Sequence, residues 1–315
     1  MAIPSFRLAL FLRSAQATSF RNLKTLKSFY STSPHLSQDM AVKFVPRPST
    51  ERGNADHGWL KSFHTFSFAD YQDSQHDQFG SLRVINEDRV EPKTGFGTHG
   101  HREFEIFSYV VNGELEHKDS MGNTEVLKRG DVQLTSAGTG IRHSEKTYGS
   151  NQVHFLQIWT VPWKNGLTPK YFTRKYSHFS DEEKTDKWVR VVAPVSAPGV
   201  ADEREGAGPA PVQSPVSLYA TMLSPAASLP HTFPATLSAD SASPSTARKA
   251  YIHVVQTSGY NTKMSSGASV KVTGDDAVLE LKEGDGAYIF GEAGKELKVE
   301  NTGDRVAEVL LFDVE

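Results

Sequence analysis

Two short motifs carry the side chains in this sequence that could do chemistry. His99 and His101 are separated by one residue, and so are His143 and Glu145. Successive side chains of an extended strand point to opposite faces, so each pair projects from one face of its strand. If two such strands face each other, three imidazoles and one carboxylate converge, which is a ligand set suited to Fe(II), Ni, Cu, Mn or Zn. An octahedral ion would keep two positions for water, oxygen or a bidentate substrate.

Either motif alone would be weak evidence for a metal site, because isolated histidine pairs are common on protein surfaces. Small flexible residues near both motifs strengthen the interpretation: Gly97 precedes the first motif, Gly100 lies within it, and Gly138 and Gly140 precede the second. The chain contains no cysteine, which excludes disulfides and thiolate sites. Histidine and carboxylate side chains therefore remain as the strong metal ligands.

Other side chains near the motifs could support a site. Glu103 and Glu105 would share a strand face with His101 if that strand is regular, either in solvent or as acceptors that fix a ligand imidazole. His64 is expected to pack among aromatic residues but could line the pocket, and His117, after a turn, could reach the site, although surface exposure is expected. Three aromatic residues could stack on a planar substrate or belong to the core: Phe104, Phe107 and Tyr109.

The elements that must position these residues are predicted to be strands. Apolar and alternating runs, separated by turn residues such as Asn112-Gly113, predict an all-β jelly-roll architecture with little helix. Only 181–187 is predicted as a short helix, and 196–213 and 235–246 are predicted as mobile loops. The predicted strands are 82–85, 104–111, 132–135, 154–161, 251–256, 269–273, 277–281, 287–290 and 307–312.

A weak internal repeat supports two similar domains. The segment Leu127–Asp131 (LKRGD) recurs as Leu281–Asp285 (LKEGD), each time before an apolar run. The predicted organisation is an extension over 1–40, a first domain over 41–175 and a second over 176–315.

Bulk properties limit the function further. The net charge of the 315-residue chain is −3, so nucleic-acid binding by bulk electrostatics is not expected, and no apolar run is long enough to span a membrane. Residues 1–40 are basic and rich in serine and threonine, with no acidic residue before Asp39, which is typical of a mitochondrial transit peptide. A disordered extension, or a second start codon at Met40, would instead leave the protein cytoplasmic or nuclear.

Four stretches of the sequence together resemble the pirin family of the cupin superfamily. They are GFGTHGHREFEIFSYVVNG (95–113), GDVQLTSAGTGIRHSE (130–145), GNADHGWLKSFHTFSFADY (53–71) and SLRVINEDRV (81–90). The resemblance implies two tandem cupin β-barrels. It also implies one divalent ion, Fe(II) before Ni, Cu, Mn or Zn, bound by His99, His101, His143 and Glu145. Glu105 is expected in the pocket but off the metal.

The second half is expected to lack a metal site. Aligned on the repeat, Ser245 and Ala247 replace the paired histidines, and Leu297 and Val299 replace the His and Glu. The two histidines after residue 200, His231 and His253, cannot form such a site alone.

The resemblance implies a dioxygenase that opens flavonols such as quercetin with O2, with Glu145 as the base, by analogy with some pirins. The alternative is an iron-binding, redox-sensitive co-regulator that docks on a transcription factor through a basic patch. The expected partners are a small planar aromatic substrate and O2, with no nucleic acid or membrane, and the protein is expected to be a monomer. The candidate patch residues are Arg102, Arg129, Arg142 and Lys146.

Overall fold

The computed structural model describes residues 40–175, 179–237, 246–263 and 266–315. These residues form 22 strands, one short α-helix and one 3-10 turn, so the predicted all-β class is confirmed. In chain order the strands are β1 Lys43–Arg47, β2 Gly53–Asp56, β3 Leu60–His64, β4 Leu82–Val90, β5 Gly95–His101, β6 Glu105–Asn112, β7 Glu114–Asp119, β8 Thr124–Lys128, β9 Val132–Ser136, β10 Ile141–Thr147, β11 Val153–Thr160, β12 Lys170–Arg174, β13 Val189–Pro194, β14 Ala210–Val212, β15 Val216–Leu223, β16 Ser228–Thr232, β17 Ala247–Val254, β18 Ser269–Gly274, β19 Ala277–Lys282, β20 Gly286–Glu292, β21 Glu296–Asn301 and β22 Ala307–Val314.

The strands assemble into two pairs of sheets. The first pair consists of a seven-stranded sheet, ordered β12-β9-β6-β11-β4-β3-β2, and a four-stranded sheet, ordered β5-β10-β7-β8. The second pair repeats this plan with β1-β20-β17-β22-β15-β13-β14 and β16-β21-β18-β19. Strand β1 belongs to the second pair, where it lies antiparallel to β20, so the chain contributes to the second half before it builds the first. The division into 41–175 and 176–315 stays a prediction.

The predicted repeat corresponds to the same turn in both halves. After β8 the backbone N–H of Lys128 donates to Asp131 Oδ2 at 2.9 Å, and after β19 Lys282 donates to Asp285 Oδ2 at 2.9 Å. Each turn places its glycine at positive φ, 85° at Gly130 and 83° at Gly284, where a side chain would be strained. The repeated sequence is therefore a repeated structure.

Apolar side chains fill three regions. One cluster lies where the two seven-stranded sheets pack against each other, with Phe107 and Ile158 from the first half and Tyr251 and Phe312 from the second. A second cluster fills the space between the two sheets of the second half. The third, between the sheets of the first half, is smaller and leaves part of that interior to polar side chains.

Two local predictions need correction. The loop predicted over 196–213 contains β14, whose Ala210 and Val212 are buried and which pairs in parallel with β13. The helix is shorter than predicted: α1 spans Asp181–Lys184, and the hydroxyl of Ser180 caps it by accepting from Glu183 N.

Parts of the other predictions lie outside the described residues, namely the transit peptide of 1–39 and residues 238–245 of the second predicted loop. None of the helices in the part of the chain that the structure describes has the length and apolar character needed to span a bilayer.

Candidate metal centre

Three predicted ligands lie on two paired strands of the first four-stranded sheet. His99 and His101 are on β5, and His143 is on β10, directly opposite His99 in the antiparallel register. The spacing of two residues on β5 directs both rings to the same face, toward His143. His101 and His143 are buried, whereas His99 is only half-buried at the outer side of the group.

The imidazole nitrogens meet at distances that suit an ion. His143 Nε2 lies 2.9 Å from His101 Nε2 and 3.1 Å from His99 Nε2. Two nitrogens bound at right angles to one metal, each about 2.1 Å from it, lie about 3.0 Å apart. The donor set and its spacing therefore fit a divalent cation held on one triangular face of its coordination shell.

The protonation of the rings also favours metal binding. His99 Nδ1 lies 2.8 Å from the carbonyl oxygen of Gly97, and a carbonyl only accepts, so Nδ1 carries a proton and the neutral tautomer of this ring has its lone pair on Nε2. Burial, helped by the neighbouring imidazoles, lowers the pKa of His101 to about 3. Burial likewise lowers the pKa of His143 to about 4. Neutral imidazoles are the form that ligates a metal.

Glu145 lies beside the three imidazoles, held by a separate set of contacts. A bulge in β10 relative to β5 separates it from His143. Its Oε1 accepts from Ser108 Oγ at 3.3 Å, and its Oε2 accepts from Gln157 Nε2 at 2.6 Å. Potential ligand atoms of His117, His143 and Glu145 form a second group, all within 4.8 Å of one another.

The two groups share His143, so the four predicted ligands occupy one region of the first half. Burial alone would raise the pKa of Glu145, but contacts with His117 and His143 outweigh it and lower that pKa to about 2. Glu145 is therefore a carboxylate at neutral pH. Assignment of all four side chains to a single ion stays a prediction.

His117 is buried, contrary to the expectation of surface exposure. It lies on β7 directly opposite Glu145 of β10, with its Nδ1 4.0 Å from Glu145 Oε1. The signal for this position was present in the sequence, because His117 and Asp119 repeat the one-residue spacing of the two ligand motifs.

Glu103 and Glu105 do not share the face of His101, because the chain is not a regular strand between β5 and β6. Glu103 adopts a left-handed conformation, with φ of 59°, and accepts from Gly166 N. Glu105 lies on the face of β6 opposite to that of Ser108, where Ser136 Oγ and Gln213 N donate to it at 2.5 and 3.0 Å. The expectation that Glu105 lines the metal pocket is therefore wrong.

An aromatic group borders the imidazoles. The indole of Trp159, on β11, meets the ring of His101 edge to face, with centroids 4.8 Å apart. Phe68 and Phe104 contact the same indole at 5.5 and 5.3 Å, and all three residues are only half-buried. Of the predicted stacking residues, Phe104 has the expected place, whereas Phe107 and Tyr109 belong to the core between the halves.

Polar side chains continue from Glu145 along the inner face of β4 and β3. Gln157, which donates to Glu145, lies opposite Asn86 in the register of β11 and β4. Asn86 Oδ1 lies 2.9 Å from His64 Nδ1, so His64 belongs to this inner face. Asp88 accepts from Ser62 Oγ, and burial raises its pKa to about 7.

One cavity lies away from the imidazole group. It measures about 350 Å³, and none of its lining residues belongs to the imidazole group; they are Met121, Asn123, Pro169, Lys170, Tyr171, Phe172, Asp202 and Arg204.

One member of the predicted basic patch already pairs with acidic side chains of the same chain. Arg129 is engaged in ion pairs with Asp181 at 2.9 Å and Glu308 at 3.1 Å. Arg102, Arg142 and Lys146 are exposed, next to the ligand-bearing segments.

Comparison with known proteins decides the family. The pirin family model matches residues 46–160. The crystal structure of YhhW from Escherichia coli is 34% identical, with a TM-score of 0.68, covering 87% of this chain and 98% of that chain. A second structure, described as bacterial pirin YhhW in complex with nickel(II), covers 86% and 99% at 34% identity and a TM-score of 0.66. The chain belongs to the pirin family.

Curated relatives match a shorter part of this pirin. A quercetin 2,3-dioxygenase of Escherichia coli strain K12 is 53% identical over 131 residues, which are 41% of this chain and 57% of the relative. A pirin-like protein of Caulobacter vibrioides is 40% identical over 147 residues, 47% of this chain and 62% of the relative. The chain thus matches little more than half the length of these relatives.

The second half of this pirin has an apolar core where the first half has ligands. Leu297 and Val299, which replace the second motif, are fully buried in that core, and Ala247 is exposed at the start of β17. Ser245 lies outside the described residues. His231 pairs with Asp313 at 3.0 Å, and His253 pairs with Glu87 of the first half at 3.1 Å. Both groups of potential ligands found among the described residues lie in the first half.

Proposed function

We propose that this pirin is a metal-dependent dioxygenase that opens flavonols such as quercetin with O2. The observation that carries the proposal is the convergence of three imidazoles, with the Nε2 atoms of His101 and His99 within 3.1 Å of His143 Nε2, beside an ionised carboxylate. The name of the Escherichia coli relative supports the choice of reaction, and nickel(II) in YhhW supports a divalent ion. His99, His101, His143 and Glu145 would hold one ion, with Fe(II) favoured and Ni, Cu, Mn or Zn as alternatives.

The residues of the chain have distinct tasks in this reaction. An ion at the site supplies Lewis acidity, which stabilises the deprotonated 3-oxygen of a flavonol. Glu145 is ionised and accepts the proton of that hydroxyl. Trp159, with Phe68 and Phe104, offers half-buried aromatic surface for a planar ring system. Burial of His101 and His143 keeps bulk water from the inner side of the site.

The direct test uses purified protein loaded with Fe(II) or with Ni(II). Under oxygen, loss of the quercetin absorption band and release of carbon monoxide are expected in proportion to bound metal. Absence of turnover with each loaded metal, in protein that binds one equivalent, would remove the proposed activity.

Replacing Glu145 with glutamine should lower kcat on the order of 100-fold, because the amide cannot accept the substrate proton. The bound metal is measured in parallel, so that lost chemistry is separated from lost ion. A fully loaded E145Q protein with unchanged kcat would exclude Glu145 as the base.

Trp159→Ala should raise KM for quercetin about 2- to 12-fold with a smaller change in kcat, since aromatic stacking contributes about 0.5–1.5 kcal/mol. Trp159→Phe keeps an aromatic face and should stay near the wild type. Equal KM values for both variants and the wild type would place the substrate away from this group.

The co-regulator alternative stays a prediction. Three of its four candidate basic residues are exposed beside the ligand strands, and Arg129 is not. The monomeric state is likewise a prediction.

A further inference from the structure

His117 lies next to Glu145, on the neighbouring strand β7. The register of β7 and β10 places the two residues opposite each other, and cross-strand neighbours of this kind have Cβ atoms about 5 Å apart. The side chain of His117 is 0% exposed, so its surroundings are set by protein atoms alone. The position of His117 beside Glu145 therefore follows from strand pairing.

Each ring nitrogen of His117 faces one carboxylate. Nδ1 lies 4.0 Å from Glu145 Oε1, and Nε2 lies 3.5 Å from Asp119 Oδ2. Asp119, the last residue of β7, is itself fixed by the turn that follows, where Met121 N and Asn123 N donate to its Oδ1 at 2.9 and 3.0 Å. The Nε2 edge of the imidazole therefore faces a carboxylate whose orientation is fixed by backbone hydrogen bonds.

Two other rings also pack against that of His117. The rings of Tyr171 and His143 each have centroids 5.1 Å from that of His117. Neither nitrogen of His117 has a hydrogen-bond partner within normal distance, although the ring is completely buried. Buried polar groups without a hydrogen-bond partner are rare, so each one calls for an explanation, such as a functional role or a bound ion.

His117 also completes the surroundings of Glu145. Ser108 donates to one carboxylate oxygen and Gln157 to the other, and His117 borders the remaining side of Oε1. Without the ring, the carboxylate would gain room to turn away from the three imidazoles.

We propose that His117, oriented by Asp119, is a positioning residue that holds the Glu145 carboxylate beside the three imidazoles. The proposal rests on the proposed function in taking Glu145 as metal ligand and base. Residues that orient a ligand in this way are worth about 10- to 100-fold in metal affinity or activity.

The test measures Ni(II) affinity by competition with a chelator, so it does not depend on turnover. His117→Phe keeps an aromatic ring but removes both nitrogens, and it should weaken Ni(II) binding about 10- to 100-fold. His117→Asn can present an amide N–H near the position of Nδ1, and it should recover most of that loss.

The decisive comparison repeats His117→Phe in an E145Q background. If His117 acts through Glu145, His117→Phe should weaken Ni(II) binding by no more than about twofold in that background. Twofold is the usual error with which the effects of independent substitutions add. Asp119→Asn should show the same dependence on Glu145 with a smaller loss, and it replaces His117→Phe if that variant does not fold. His231→Phe, which removes a buried histidine of the second half, is the control and should leave Ni(II) affinity unchanged.

Two results would overturn the proposal: wild-type Ni(II) affinity in both His117→Phe and Asp119→Asn, or an equal loss with and without the Glu145 carboxylate. Failure of the proposed function would give a different set of results. A protein that does not consume quercetin, but in which His117→Phe weakens Ni(II) binding only when Glu145 is present, would reject the activity and support the positioning role.

Discussion

Replacing His143 with alanine should weaken binding of Fe(II) and Ni(II) on the order of 1,000-fold, well beyond the 10- to 100-fold expected for a residue that only orients a ligand. His143 is the ligand whose loss matters most, because its Nε2 is the atom closest to both other imidazoles and because it is shared with the group that contains Glu145. His99 and His101 would then remain as a pair on β5, with Glu145 as the one predicted ligand on β10.

The measurement is metal content after dialysis against a weak chelator, with affinity from competition. Ser144→Ala is the matched control, because Ser144 is adjacent in β10 and its side chain points to the opposite face. It should bind metal like the wild type. One full equivalent of tightly bound metal in the His143→Ala protein would show that the ion is held elsewhere.

The sequence was sufficient to predict these imidazoles because the one-residue spacing fixes the side of a strand from which side chains project. Spacing does not show which strands pair, however. The contact of β5 with β10, which joins the two motifs, depends on long-range pairing. Only the structure and the family resemblance reveal this contact. The same limit explains why His117 was expected at the surface: its burial depends on β7 lying beside β10.

Local irregularity caused the error at Glu105. The prediction assumed a continuous strand from His101, but the chain turns at Glu103, with its positive φ, before β6 begins. The face that carries Glu105, Phe107 and Tyr109 therefore meets the second half of the protein. A single left-handed residue is sufficient to change which side chains face the site, and composition does not reveal it.

The loop over 196–213 shows a different limit. Its low apolar content predicted that it could not pack, yet Ala210 and Val212 are fully buried as β14 at the edge of a sheet. A strand of three residues carries too little sequence signal to be recognised, since its stability comes from the neighbours it packs against.

A buried carboxylate links the two halves of the protein behind the site. Glu87 of β4 is 0% exposed, and its Oε1 meets His154 Nε2 at 3.0 Å and Gln256 N at 2.8 Å. Its Oε2 meets Arg52 Nη1 at 3.2 Å and His253 Nε2 at 3.1 Å. Asn86 and Asp88, its neighbours in β4, lie on the inner face near Glu145, so the same strand joins this contact to the proposed site.

Glu87→Gln should reduce the free energy of unfolding by about 3–5 kcal/mol, because it leaves the buried Arg52 without its compensating charge. Urea denaturation at pH 7 measures the change. Glu300→Gln is the control: Glu300 pairs with Lys271 and Lys298 on the surface, and its loss should cost less than about 1 kcal/mol. An equal effect of the two substitutions would mean that the Glu87 contacts do not stabilise the junction between the halves.

The effect of Glu87 should also depend on pH in a defined direction. Burial alone would raise the pKa of Glu87, but the hydrogen bonds with His154 and His253 lower it well below its usual value of 4.5. A carboxylate whose pKa is lower in the folded protein stabilises it above the unfolded value and loses that contribution as the pH falls. The stability difference between the wild type and Glu87→Gln should therefore be constant from pH 7 to about pH 5 and shrink in stronger acid. A difference that instead grew as the pH fell from 7 to about 4.5 would show that the pKa of Glu87 is raised in the folded protein, and that the junction is held without its charge.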